Sequence, residues 1–229
     1  MIRLAIYYTP PEQSPLSRAA AQWLGRNSTS LTHPEYCPAG ALALKRYSEI
    51  IASPFHYGFH GTIKPPFRLV HGVDVDMVAS RLRGFAENYQ SFILPPMEVT
   101  YMHNFFCLRP TSPSRALDQL AADAVILFDE YRRPADDAEL NRRRAAGLTA
   151  NQEKSLLQWG YPYLMDEFRF HLTLTGKIEH DQERLALEEE LKARFPQEIL
   201  QAVPFSSLSL FMEINNEPMK LIHRFALSA

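Results

Sequence analysis

Hydrophobic and polar positions alternate most regularly in two short stretches far apart in the chain, 57–64 (YGFHGTIK) and 168–175 (FRFHLTLT). Successive side chains of a strand point to opposite faces, so Arg169, His171, Thr173 and Thr175 share one face while Phe168, Phe170, Leu172 and Leu174 take the other. The earlier stretch sets Gly58, His60, Thr62 and Lys64 against Phe59, Gly61 and Ile63 in the same way. Each polar face offers an imidazole and a hydroxyl two residues apart.

The remaining pattern arranges itself around these two strands. Ile2–Tyr8 is an alternating, β-rich run ended by Pro10-Pro11. Ser14 then caps a helix with Pro15 at its first position, and Leu16, Ala19, Ala20, Trp23 and Leu24 form its apolar stripe. Residues 26–40 read as irregular, 41–51 as a short helix, and Pro65-Pro66 as the end of the first HxT strand. A helix over about 74–90 and strands near 96–102 and 104–109 follow it. After the second HxT strand come a helix over about 181–194, capped by Asp181 and stopped by Pro196, and strands near 205–214 and 218–227 joined through Asn215-Asn216. The order strand, helix, strand, strand thus occurs twice, each time led by an HxT strand. Between the repeats, 113–159 is mostly helical: Ser112-Pro113 opens a helix carrying Leu117, Leu120, Ala121, Ala124 and Leu127, and shorter helices are predicted at about 136–146 and 149–159.

Composition narrows the class. The 229 residues, 46% hydrophobic, suffice for a core without staples. The 24 Lys and Arg against 26 Asp and Glu give a net charge of −2, unlike the basic footprint of a protein that grips long nucleic acid. A small phosphorylated ligand fits that charge. Cys37 and Cys107 lack the spacing of a zinc site and read as buried thiols in a reducing compartment. The MIRLAIYYTPP start carries no basic leader, and no run approaches the roughly 18 apolar residues of a membrane span, so the expected protein is soluble, cytoplasmic and monomeric.

A single HxT is a weak signal, because a histidine on a strand is usually structural. Two copies that open equivalent repeats suit proton exchange at phosphorus. One neutral imidazole takes a proton from an attacking water, the other, protonated, gives one to the leaving oxygen, and the threonine hydroxyls donate to the non-bridging oxygens. Paired histidines also bind metals, but zinc and iron sites want three or four ligands and neither polar face carries an acid. No metal and no cofactor is expected.

The two HxT strands resemble the signature of the 2H phosphoesterase superfamily, which includes cyclic nucleotide phosphodiesterases and the RNA 2′,5′-ligases. More narrowly, YYTPPEQSPL, WLGR, YGFHGTIKPPF, RRP and QWGYPYLMDEFRFHLTLTG resemble the bacterial phosphonate metabolism protein family over nearly the whole chain. The resemblance implies an α+β fold of two pseudo-symmetric lobes, each an antiparallel sheet backed by helices, facing across a central cleft. On that reading 1–229 is one domain, with a first repeat at about 57–110, a helical insert at about 111–167 and a second repeat at about 168–229. It implies catalytic roles for His60 and His171, with Thr62 and Thr173 on the substrate, and its phosphonate association implies a ribose cyclic phosphate or related phosphodiester. Gly61 departs from the superfamily motif, where a bulky apolar residue is usual, and is expected to loosen the first strand relative to the second.

Further contacts can be read from the residues. Lys64, on the face of His60, and Arg169, two before His171, are candidate anion contacts at the cleft edge. In the insert, Arg142, Arg143 and Arg144 read as a solvated helical face with Glu139 in reach of Arg143, whereas Pro134 fixes Arg132 and Arg133 at a helix end from which one could reach a phosphate. The rings of 159–163, Tyr161 among them, either pack the joint between insert and sheet or stack on a ligand. Three functions remain: a metal-independent phosphodiesterase acting on a small cyclic phosphate, an RNA-end enzyme, which would want a basic groove, and a non-catalytic sensor of a nucleotide or sugar phosphate.

Overall fold

A computed structural model describes residues 1–27 and 44–229. Most of the irregular stretch read over 26–40, with His33 and Cys37, and the start of the helix read over 41–51 lie outside them. In chain order the elements are β1 (Ile2–Tyr8), α1 (Pro15–Leu24), α2 (Leu44–Tyr57), β2 (Gly61–Phe67), α3 (Val75–Glu87), β3 (Phe92–Ile93), β4 (Met97–Met102) and β5 (Phe105–Pro110). The insert supplies α4 (Arg115–Leu127), α5 (Asp137–Arg144) and α6 (Ala150–Trp159). β6 (Leu172–Thr173), α7 (Asp181–Arg194), α8 (Gln197–Leu200), β7 (Pro204–Phe205), β8 (Ser207–Ile214) and β9 (Lys220–Ala226) complete the described chain.

Seven strands form one antiparallel sheet in the order β4-β5-β6-β2-β1-β8-β9, and β3 pairs with β7 separately. The two HxT strands lie side by side at its middle, joined through the single register pair Gly61 and Leu172. On either side of that seam the two lobes of this α+β fold are interlocked. The β4–β5 hairpin, which follows the first HxT strand, pairs with the second, and the β8–β9 hairpin, which follows the second, pairs with β1 beside the first. The helices cross with the hairpins: α3 packs on β8 and β9, α7 on β4. The alternation of β1 shows what each sheet face does. Leu4, Ile6 and Tyr8 enter the main helix-covered core, while Ala5 and Tyr7 join Phe211 and Met219 in a small cluster on the opposite face.

Local chemistry accounts for the element ends. The Ser14 hydroxyl accepts from the Ser17 amide at 3.1 Å and Gly25 closes α1 at φ 67°, while Thr149 and Gln152 form a reciprocal cap on α6. Several expectations are corrected. Asp181 is the first helical residue of α7 and His180, without a side-chain bond, holds the cap position. α2 runs on to Tyr57 with Pro54 inside it. Nor do Pro65-Pro66 end the first HxT strand, because the ladder between β1 and β2 shifts register between its Lys64 and Phe67 pairs and no register pair falls on either proline.

Gly61 is also corrected. The first HxT strand is seven residues long and paired on both sides, whereas only two residues of the second enter the ladder. Gly61 does not loosen packing: a Cβ there would sit 2.4 Å from two ring carbons of Phe170, so the ring from the second motif fills the space. Gly61→Ala should therefore destabilise the chain by about 1–3 kcal/mol, the usual cost of overpacking. Denaturant unfolding checks this, and Phe170→Leu in the same chain should recover part of the loss. A Gly61→Ala protein as stable as the parent would show that the ring is not held there.

Candidate active site

Gly58, at φ 77°, turns the chain from α2 into the first motif, and its carbonyl receives Nδ1 of His60 at 2.8 Å. Nδ1 of His171 meets the carbonyl of Arg169 at 2.7 Å in the same way. A carbonyl only accepts, so each Nδ1 carries the proton and each neutral ring keeps its lone pair on Nε2. In His60 that nitrogen lies 3.2 Å from the Thr62 hydroxyl, which donates to it. Extending the antiparallel register by one residue on either side of Gly61 and Leu172 puts His60 opposite Thr173 and Thr62 opposite His171, all on the face away from the main core. The four motif residues are half-buried and form one pseudo-symmetric group.

Electrostatics at this group disfavour positive charge. Burial lowers His60 from 6.5 to about 4, helped by the nearby charges of His171 and Arg26 and opposed by the Gly58 hydrogen bond. His171 is also lowered, by burial first and then by His103 and Arg109. Both imidazoles are thus biased toward the neutral form in the empty site, and an anion held against them would oppose that bias.

The other predicted contacts are placed differently. Lys64 does not share the face of His60: Tyr7 pairs with Thr62 but Ile6 with Lys64, so a bulge inserts one residue and turns Lys64 to the core side. There it is 2% exposed, its Nζ donates to the Val125 carbonyl at 3.0 Å and stands 3.8 Å from Asp129. Arg132 binds the same carboxylate at 2.7 Å and donates to the Gln158 carbonyl, so it ties the end of α6 to the sheet and is not extended toward the motifs. Arg133 is exposed and pairs with Asp136 at 3.3 Å. Arg169 is exposed at the second motif, with Nη1 donating to the carbonyls of Asp166 and Phe168. Thr175, expected on the polar face, is buried and accepts from the Phe106 amide.

Several neighbours were not legible as site residues. Tyr7 stacks on His60 at 3.7 Å between ring centroids, with Tyr57 at 6.4 Å, and Phe105 lies 5.6 Å from His171. Arg26, the last residue of WLGR, is 2% exposed and donates to the carbonyls of Phe55, His56 and Met219, which fixes the turn leading into His60. Burial lowers its own pKa to about 10. Arg143 leaves the solvated face assigned to it: Glu139 takes Arg142, Glu153 takes Arg144, and Arg143 lies over the Tyr161 ring at 4.8 Å. Tyr161 is half-buried, and its phenol is close enough to those of Tyr57 and Tyr7 to couple with them electrostatically. Among the described residues no group of three or more His, Cys, Asp or Glu side chains is placed to hold a metal ion, and no helix is long and apolar enough to cross a membrane.

Residues 62–220 match the family model described as "Protein of unknown function (DUF1045)". The chain is 35% identical over 180 residues to the ribose 1,5-bisphosphate phosphokinase PhnN of Janthinobacterium sp. (strain Marseille), and 31% identical over 178 residues to the protein of the same name from Laribacter hongkongensis (strain HLHK9). These matches cover 79% and 78% of the chain but only 40% and 41% of the two relatives, so the chain spans about two-fifths of their length. Among solved structures it is similar to a phosphoesterase (14% identity, TM-score 0.43, covering 99% of this chain and 98% of that one). It is likewise similar to E. coli LigT complexed with ATP (13% identity, TM-score 0.42, 99% and 98%).

Proposed function

Since the chain belongs to the DUF1045 family, whose description leaves its activity open, function must be argued from the site, and we propose a phosphodiesterase that opens a small cyclic phosphate of a ribose. One observation carries the reading: both motif histidines are anchored through Nδ1 on the carbonyl two residues earlier, which leaves two Nε2 atoms and two hydroxyls on one sheet face. Water attacks phosphorus while a neutral Nε2 takes its proton. The ester P–O bond breaks, and the protonated imidazole of the partner motif gives its proton to the departing alkoxide. Thr62 and Thr173 donate to the non-bridging oxygens as charge gathers on them. The product is a ribose phosphomonoester, with the freed hydroxyl on the neighbouring ribose carbon. The ribose part of the proposal is supported by the names of the relatives, which act on a ribose bisphosphate, and by the phosphonate-family resemblance.

The test is turnover of ribose and nucleoside cyclic phosphates followed by phosphorus NMR, in excess chelator, with kcat/KM measured against pH. Activity is expected without added metal. Its pH dependence follows from the lowered pKa values of both imidazoles. The form with one proton on the pair is most populated between the two apparent values, both below 6.5, so kcat/KM should peak on the acid side and fall as pH rises through neutrality. The optimum of kcat should lie higher, because bound phosphate raises the imidazole pKa values. Restoration of lost activity by one divalent ion, or a kcat/KM still rising above pH 8, would contradict the two-histidine mechanism.

A further inference from the structure

The insert contributes a cation that no acid pairs, seated on a tyrosine within electrostatic range of this site. The Arg143 side chain makes no ion pair or hydrogen bond among the described residues, and its Nε is buried without a partner, although acids take Arg142 and Arg144 on either side of it. A buried donor left unsatisfied is costly, and a guanidinium offers paired N–H groups in the geometry that an oxyanion accepts. The Tyr161 ring supports this guanidinium, and the Tyr161 phenol lies within electrostatic range of those of Tyr57 and Tyr7, the latter stacked on His60. The platform is also fixed in place. Gly160, at φ 74°, closes α6, and a Cβ there would stand 2.8 Å from Nη1 of Arg132, whose guanidinium is bound to Asp129 under β2. α5 is tied to α6 through Arg144 and Glu153.

We propose that Arg143, seated on Tyr161, binds a second phosphomonoester of the substrate, remote from the phosphodiester held by the HxT motifs. This rests on the phosphodiesterase reading for the identity of the first anion, and it makes the preferred substrate a cyclic phosphate that also carries a terminal phosphate. Tyr161→Phe should keep the platform, because the ring face and not the hydroxyl supports the guanidinium.

The experiment compares ribose 2,3-cyclic phosphate with and without a phosphate on O5, in the intact chain and in Arg143→Gln, by kcat/KM and by calorimetric Kd. α5 buries none of its residues, so the variant should fold, and thermal melting confirms it. In the parent the O5 phosphate should improve kcat/KM and Kd by roughly 10- to 100-fold, the range of a charge-assisted contact. Arg143→Gln should abolish that gain and leave the unphosphorylated compound within about twofold, and Arg143→Lys should keep part of it. No gain in the parent, a gain that survives in Arg143→Gln, equal loss for both compounds, or no binding of either overturns the proposal. Binding that still discriminates through Arg143 without any turnover supports it while removing the hydrolase reading.

Discussion

Replacing His60 or His171 with alanine is expected to lower kcat by roughly 10²–10⁴, the usual worth of one general acid or base, and replacing both should cost little more than replacing either. The geometry motivates the non-additivity. Each imidazole stands opposite the threonine of the other strand, across the single pair Gly61 and Leu172, so both address one substrate. Once one proton carrier is gone the concerted transfer fails, and the second has little left to contribute. Thr62→Val and Thr173→Val keep the shape and delete one donor each, so smaller losses in kcat are expected. The check is kcat for the two single mutants and the double mutant, with thermal unfolding alongside. Free-energy losses that simply add, or single mutants near full activity, would split the motifs into separate sites and favour a binding module.

The part of this site that could be read from sequence is the part that strict alternation determines. His60 and Thr62, like His171 and Thr173, are two apart, so no knowledge of partners is needed to place them on one face. Lys64 is only two residues further on, yet the prediction fails there because a bulge is a property of the pairing between β1 and β2, invisible in either strand alone. Gly61 escapes the sequence for a related reason: what fills the space above it is Phe170, supplied by the other motif. The repeated order of elements was legible, but the crossing of the hairpins was not, since the same order serves whether each hairpin pairs with its own leading strand or with the other. Arg143 sits in a run of three arginines on a polar helix, where periodicity does not say which one turns inward. Tyr7 could have been suspected, because the alternation of β1 separates it from Leu4, Ile6 and Tyr8.

Asp129→Ala is expected to destabilise the fold by about 2–3 kcal/mol, at the low end for breaking a buried ion pair because Asp129 is partly exposed. It would leave Lys64 and Arg132 without their shared carboxylate, and Arg132 is the tie between α6 and the sheet. Lys64→Met should behave oppositely. It removes a cation that burial disfavours and leaves Asp129 bound to Arg132, so stability at pH 7 should change little or rise. The pH dependence gives a second handle. Burial lowers Lys64 from 10.5 to about 8, with Asp129 acting against the shift, so between these values the unfolded chain holds a proton that the folded chain has lost. Stability therefore rises with pH from about 8 to 10.5 through this group, and Lys64→Met should remove that rise. Denaturant unfolding at pH 7, 8 and 10 measures it. Kinetics on a cyclic phosphate then separates the two roles considered for Lys64. KM unchanged in Lys64→Met fits a cation buried between β2 and the insert, away from the substrate, whereas a several-fold increase in KM would return Lys64 to the substrate.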